Sequence, residues 1–247
     1  MAIEMKGIDV SKHNGVIDWD KVKAAGIEFA ILRAGYGRKD PKQIDPMFER
    51  NYAECKRVGI PVGAYHYSYA DSPADALLEA EFFLEIIQGK KFEFPVIFDI
   101  EDKSQENLGM TTLTNMCLMF CDRVEDAGYY TAIYANTDWL KNKLDYSRLQ
   151  KYDIWLADWR KKEGWGKPHG MWQYTDSGKV SGISTKVDMN IAYKNYPRII
   201  KGAGLNNFRD KFYTVTGVQE HLDENKAKTL SCQLRNLGMT VVMKEEE

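Results

Sequence analysis

The 247-residue chain is 44% hydrophobic and 12% aromatic, enough apolar material for one large α/β domain, or for a mid-sized domain with a small appendage. Its formal charge is only −2, with Lys and Arg scattered along the chain, which argues against nucleic acid or an anionic membrane surface as a partner. No N-terminal apolar segment of signal-peptide type and no run of about eighteen apolar residues occurs, so the sequence predicts synthesis in the cytoplasm without a signal peptide and no membrane span.

In chain order, apolar β-like runs alternate with helical patterns. The runs fall at residues 7–10, 29–33, 62–67, 94–101, 130–134, 154–157, 171–174 and 186–189. Asp45-Pro46 and Ser72-Pro73 read as helix starts, while Gly26, Gly59, Gly89 and Gly128 read as helix stops. Eight strands in β-α alternation predict a β/α (TIM-like) barrel, and an open doubly wound sheet is disfavoured because no Gly-rich phosphate turn follows a strand. After the fifth strand the connections shorten and lose helical periodicity, which predicts irregular segments or hairpins in place of helices. Cys55, Cys117, Cys121 and Cys232 form no C-x-x-C pair and read as reduced core thiols.

The run at 94–101 ends in Asp99 and Glu101, separated by one isoleucine. Side chains two apart on a strand share a face, with Cα atoms roughly 6.6 Å apart, so these carboxylates are expected in one pocket with one pKa pushed up. That is the property of a general acid working near neutrality. Asp9, Arg33 and Asp188 also fall at strand ends, which in a β/α barrel meet at the face that carries active sites. Tyr65, Tyr67, Tyr134, Trp155 and Trp172, with Tyr36, Trp159 and Tyr174, crowd the same ends and suit stacking on sugar rings, although aromatics also serve as core residues. His66 has the opposite strand parity to Tyr65 and Tyr67 and reads as core; His13, after the first strand, stays ambiguous.

The opening G-I-D-V-S-K-H-N-G-V-I-D-W from Gly7 to Trp19 resembles the start of glycoside hydrolase family 25, the Chalaropsis-type lysozymes. Further blocks resemble the family in order: F-A-I-L-R-A-G from Phe29, G-A-Y-H-Y from Gly63, the D-x-E of Asp99 and Glu101, M-W-Q-Y from Met171, and Val187-Asp188. The resemblance covers residues of about 5 to 197. It implies an N-acetylmuramidase on an irregular β/α barrel, cutting the β-1,4 bond from N-acetylmuramic acid to N-acetylglucosamine in bacterial peptidoglycan, without cofactor or metal. The family's usual members are phage endolysins and bacterial autolysins, and an enzyme without a signal peptide would reach the wall through a holin or after lysis. Carried over by position, Glu101 matches the family's general acid, Asp99 its partner carboxylate, and Asp9 and Asp188 the flanking pocket acids; Arg33 and the aromatics at strand ends are expected to bind substrate. Asp99 could act as nucleophile, as base toward water, or by orienting the substrate's own acetamido group, which the 2-acetamido sugar favours.

Other readings are a chitinase-like glycosidase, which also uses D-x-E, a metal-dependent hydrolase, and a non-catalytic wall-binding protein. Only four widely spaced histidines and no H-x-H weigh against the metalloenzyme, and intact Asp99 and Glu101 against the binding protein. The expected division is a catalytic barrel at 1–200, a Gly/Asn-rich linker at 201–210, and a small β-α-β unit at 211–247 with strands at 212–216 and 239–243 around a helix at 224–237. Too small to stand alone, that unit is expected to bind cell wall or to pair with a second copy as a homodimer.

Overall fold

The computed structural model describes residues 4–208 and 224–236. The chain divides into two compact units, Met1–Asp210 and Lys211–Glu247. In the first, eight strands close into a barrel in sequence order: β1 (Met5–Val10), β2 (Phe29–Tyr36), β3 (Val62–Tyr67), β4 (Val96–Asp99), β5 (Thr131–Asn136), β6 (Asp153–Ala157), β7 (Met171–Gly178) and β8 (Val187–Ala192). β1 to β7 run parallel, whereas β8 is antiparallel to both β7 and β1. The helices α1 (Trp19–Ala24), α2 (Phe48–Val58), α3 (Pro73–Ile87) and α4 (Met110–Asp126) follow the first four strands. Beyond β5 only a π-helical turn at Trp139–Lys143 and the four-residue α5 (Tyr146–Leu149) precede β6, and β7 and β8 form an antiparallel pair. The connections therefore degenerate where the helical periodicity fades.

Strand alternation sorts the side chains into two cores. Phe29, Ile31, Phe94, Ile97, Ala132, Trp155 and Met171 fill the barrel, while Ile8, Val10, Leu32, Val96, Phe98, Ile133 and Leu156 face the helices. The interior is tight at its lower end. Phe29 and Phe94 stack with centroids 4.3 Å apart, and a Cβ on Gly7 would lie 2.4 Å from the Phe29 ring, so only glycine fits there. Helix α6 (Tyr196–Gly202) closes that end: Tyr196 is fully buried, packs on Phe94 and Tyr130, and donates its hydroxyl to Asp153 at 2.7 Å.

His66, outward on β3, is fully buried among Phe82, Phe83 and Phe120 with Nε2 2.8 Å from the Gly37 carbonyl. Burial drives its pKa down to about 3, so the ring is a neutral core member. Cys55, Cys117 and Cys121 are buried free thiols. Ser72 caps α3 through the Asp75 amide, with Pro73 at the first helical position, as the sequence predicts. Asp45 does not cap α2, whose preceding residue is Met47. Its buried carboxylate instead accepts from the Lys12 and Met47 amides and from Arg33 Nε at 2.8 Å, because a cation within β2, which runs three residues past the expected strand end at Arg33, offers a stronger partner than a helix terminus.

The stretch from Lys201 to Asn207, expected as a linker, is folded. Lys201 and Gly202 end α6, and buried Asn206 donates to the carbonyls of Phe92 and Phe94, each at 2.9 Å, while accepting from the Tyr130 amide. Asn206 and Asn207 have φ of 53° and 64°, a backbone region asparagine tolerates better than most residues, so the Gly/Asn signal marks a turn stitched to the barrel. In the second unit, α7 (Glu224–Asn236) is described; the predicted strands at 212–216 and 239–243 lie outside the described residues. Among the described residues no helix is long and apolar enough to cross a membrane.

Candidate active site

The acids come from three strands. Asp9 faces the barrel near the end of β1 and Asp99 closes β4, each 5% exposed. Glu101 lies two residues past the end of β4, after Ile100 extends the pairing once more by donating its amide to Tyr134. Asp188 was expected at a strand's end but stands near the beginning of β8. The reversed direction of that strand brings its start to the same rim, directly opposite Asp9 in the antiparallel register. Strand polarity therefore differs from the expectation, while the convergence of the four carboxylates is met.

Two buried amides organise this cluster. Asp9 Oδ2 accepts from Asn190 Nδ2 at 2.7 Å and from Gln173 Nε2 at 3.0 Å. Gln173 in turn accepts from the Tyr134 hydroxyl and from Trp159 Nε1, both at 3.0 Å, and Asn190 accepts from Trp155 Nε1 at 2.8 Å. Neither Gln173 nor Asn190 stood out in the sequence. Both share inward parity with a residue two positions away, and that parity was the signal available.

Electrostatics favour protonated acids here. Burial, then the neighbouring Asp188, raises the Asp9 carboxyl well above the usual range, and a hydrogen bond to Asp188 holds the proton on Asp9. Burial, then Glu101 and Asp9, does the same to Asp99, one of whose buried oxygens has no hydrogen-bond partner. Glu101 is pushed up to about 7, first by burial and then by the charges of Asp188 and Asp102. A carboxylic acid that keeps its proton to neutrality, beside groups that disfavour a second negative charge, has the profile of a general acid.

Glu101 lines a cavity of about 520 Å³ with Tyr134, Asn136, Asp158, Trp159 and neighbouring loop residues. Trp159 is 57% exposed yet fixed by its bond to Gln173, a flat apolar wall anchored to the acid cluster. Asp158 is clamped by Arg160, whose guanidinium holds its pKa well below the carboxylate range. A second pocket, of about 370 Å³, is lined by Lys12, His13, Arg33, Tyr36, Tyr67 and Tyr69. Tyr67 also donates to Asp102 at 3.0 Å. Arg33, Tyr67 and Tyr134 thus reach pocket walls, as expected of substrate-binding residues. Three others do not. Trp155 is 1% exposed and, with Tyr65 packed edge-on against it, belongs to the barrel interior beneath the cavity. Trp172 has outward parity, packs against the outer core and donates to the Asp158 carbonyl. Aromatic type alone did not reveal which ring was already committed to packing.

Comparison with known proteins is consistent across sequence and structure. The sequence model described as Glycosyl hydrolases family 25 matches residues 8–183. YegX of Escherichia coli O157:H7 is 30% identical over 193 residues, covering 75% of this chain and 68% of that protein. The autolytic lysozyme of Clostridium acetobutylicum is 28% identical over 75% of this chain, which spans only 55% of that relative's length. Among solved structures, the CTP1L endolysin is similar with a TM-score of 0.71 and 30% identity over 80% of this chain and 70% of that one. The autolysin LytC of Streptococcus pneumoniae, solved in complex with a synthetic peptidoglycan ligand, has a TM-score of 0.70 and 29% identity, over 77% of this chain and 47% of that one. With the family's sequence model running from β1 past the end of β7, and a relative 30% identical over three quarters of this chain and 68% of its own length, this chain belongs to glycosyl hydrolases family 25 and is a glycoside hydrolase.

Proposed function

We propose that the enzyme is a peptidoglycan hydrolase of the lysozyme type, cleaving the β-1,4 bond between N-acetylmuramic acid and N-acetylglucosamine with Glu101 as general acid. The observation that carries this is Glu101 itself, a carboxyl held protonated to about pH 7 in the wall of a cavity, two residues from a second buried acid. Glu101 gives its proton to the departing sugar oxygen as the bond to the anomeric carbon breaks, and water later supplies the hydroxyl of the new reducing end while its proton returns to the Glu101 carboxylate. Asp99 orients the substrate's acetamido group, its unpartnered oxygen available to accept the amide N–H while the acetamido oxygen attacks the anomeric carbon. Asp9, fixed by Gln173 and Asn190, keeps its proton and donates it in a hydrogen bond to Asp188, whose charge opposes early loss of the Glu101 proton. Trp159 and Tyr134 contribute the sugar-binding wall.

The relatives named autolytic lysozyme and endolysin support release from the cytoplasm onto the bacterial wall as the setting. The 211–247 unit serves wall attachment or homodimer formation. The test is digestion of purified cell walls followed by reducing-end analysis. Muramic acid at the new ends is the expected result; glucosamine would transfer the enzyme to the chitinase-like reading, and unchanged walls would refute hydrolysis of this polymer.

A further inference from the structure

The two pockets sit on opposite sides of the acids. Around the barrel, the smaller one draws on β1, β2 and β3 and the turns that follow them, the larger one on β5, β6 and the segments after them, and β4 with Asp99 and Glu101 stands between. Their chemistry differs. The larger pocket balances Lys141 and Arg160 with Glu101, Asp138 and Asp158, whereas the smaller has two cations, a histidine and three tyrosines, and no carboxylate in its lining.

Neither cation of the smaller pocket is fully satisfied. Exposed Lys12 places its ammonium 5.9 Å from the Tyr36 ring centroid and makes no ion pair with a carboxylate among the described residues. Arg33 is ion-paired through Nε with buried Asp45, which leaves the pocket's uncompensated charge on Lys12, and one buried terminal nitrogen of Arg33 has no hydrogen-bond partner. The tyrosine wall is built in: Tyr36 and Tyr67 pack on Tyr69 at 6.0 and 5.1 Å, and the Tyr69 amide is held by the buried carboxyl of Glu79 at 2.9 Å. A preformed aromatic pocket with unspent positive charge, next to a cluster of acids, selects a ligand with an anionic group distinct from the reacting centre.

In the proposed substrate both sugar rings are neutral. Negative charge enters through the 3-O-lactyl arm of muramic acid, as the carboxylates of the attached peptide stem or as the lactyl carboxylate where the stem is missing. Resting on the muramidase reading, we infer that the pocket of Lys12, His13, Arg33, Tyr36, Tyr67 and Tyr69 binds a carboxylate carried on the muramic acid arm, so that cleavage responds to the charge of the stem. This places the muramic acid side of the scissile bond toward β1 to β3, and its neutral partner toward Trp159.

The test uses the full chain and three synthetic muramic acid-containing oligosaccharides: one with alanyl-glutamate stems, one with the same stems and every carboxyl amidated, and one without stems. Wild type should cleave the charged-stem substrate with a kcat/KM about threefold to fivefold above that of the amidated one, the upper part of the range for one solvent-exposed ion pair. Lys12→Ala should erase this preference through KM with kcat held, Lys12→Arg should retain it, and added salt should shrink it in wild type. Lys12 dependence confined to the stem-free substrate would overturn the inference, because the charge of the stem would then go unread. Equal kcat/KM of wild type on all three, or a Lys12→Ala loss of the same size on all three, would overturn it. Failure of wild type to cut any of them, with walls also untouched, would instead remove the muramidase reading on which it stands.

Discussion

Replacing Glu101 with glutamine removes an acidic proton and a buried charge together, and pH separates the two losses. Burial, aided by Asp188 and Asp102, lifts Glu101 from 4.5 to about 7, so the folded protein holds this proton more tightly than the unfolded chain does. Between those values the folded state binds more protons, and its stability falls as pH rises through the window. At about 1.4 kcal/mol per pKa unit the whole interval is worth roughly 3 kcal/mol, of which about 2.5 kcal/mol develops between pH 5 and pH 8. Glutamine never ionises. The Glu101→Gln variant should therefore gain about 2.5 kcal/mol on wild type at pH 8 relative to pH 5, or roughly 5 to 10 °C in Tm for a chain of this size. Wall lysis should fall about 10²- to 10⁴-fold, the contribution of a positioned acid. Urea denaturation of both proteins at the two pH values, beside turbidity assays on cell walls, measures both effects. A stability gap that is the same at pH 5 and pH 8 would refute the perturbed carboxyl, and a variant retaining more than half the wild-type rate would remove Glu101 from the acid role.

Trp159→Ala should raise KM about tenfold, equivalent to about 1.4 kcal/mol of lost stacking, with kcat changed less than twofold, and Trp159→Phe should recover most of it; steady-state kinetics on soluble glycan decides, and an unchanged KM removes the ring from the substrate wall. Glu79, 1% exposed and pushed up to about 7 by burial, obeys the same sign rule as Glu101, so wild-type stability is lost from about pH 4.5 upward until it levels above pH 7. Glu79→Gln keeps an acceptor for the Tyr69 amide and should flatten that slope without lowering kcat, which denaturation across pH 5 to 8 would show; an unaltered slope contradicts the assignment. Sedimentation at micromolar concentration should give a dimer for the full chain and an active monomer for a chain ending after Phe208, the last residue of the turn that Asn206 and Asn207 anchor to the barrel. A monomeric full chain would count against pairing through 211–247.

The barrel and its acids were legible because both rest on short-range rules. Alternation along a strand puts Asp99 and Glu101 on one face, and the meeting of strand ends at one rim of a β/α barrel groups them with Asp9, Tyr67 and Tyr134. The shortened late connections point to a hairpin, which β7 and β8 form, but not to which strand reverses, since polarity is decided by pairing with β1 and β7. Trp155 and Trp172 were overvalued because a ring's composition does not show whether it is already used in packing, whereas Gln173 and Asn190 were overlooked because a neutral amide carries no charge signal. The 201–208 stretch looked like a tether because Gly and Asn signal a turn equally well whether the turn is free or stitched down.

The reversed closing strand is also the part of the acid cluster that is synthesised last. Asn190 reaches Asp9 across 181 residues, and the last hairpin is the only route by which β1 gains its second neighbour. A chain emerging from the ribosome holds Asp99 and Glu101 long before it holds β8, yet until then the barrel is open, Asp9 lacks its paired acid, and the amide from Asn190 does not exist. Contacts of such separation slow folding, because loop-closure entropy is lost before they are made. Translation order thus separates the parts of the cluster: a chain that stops short of β8 carries Asp9, Asp99 and Glu101 but neither Asp188 nor a closed barrel to hold them together.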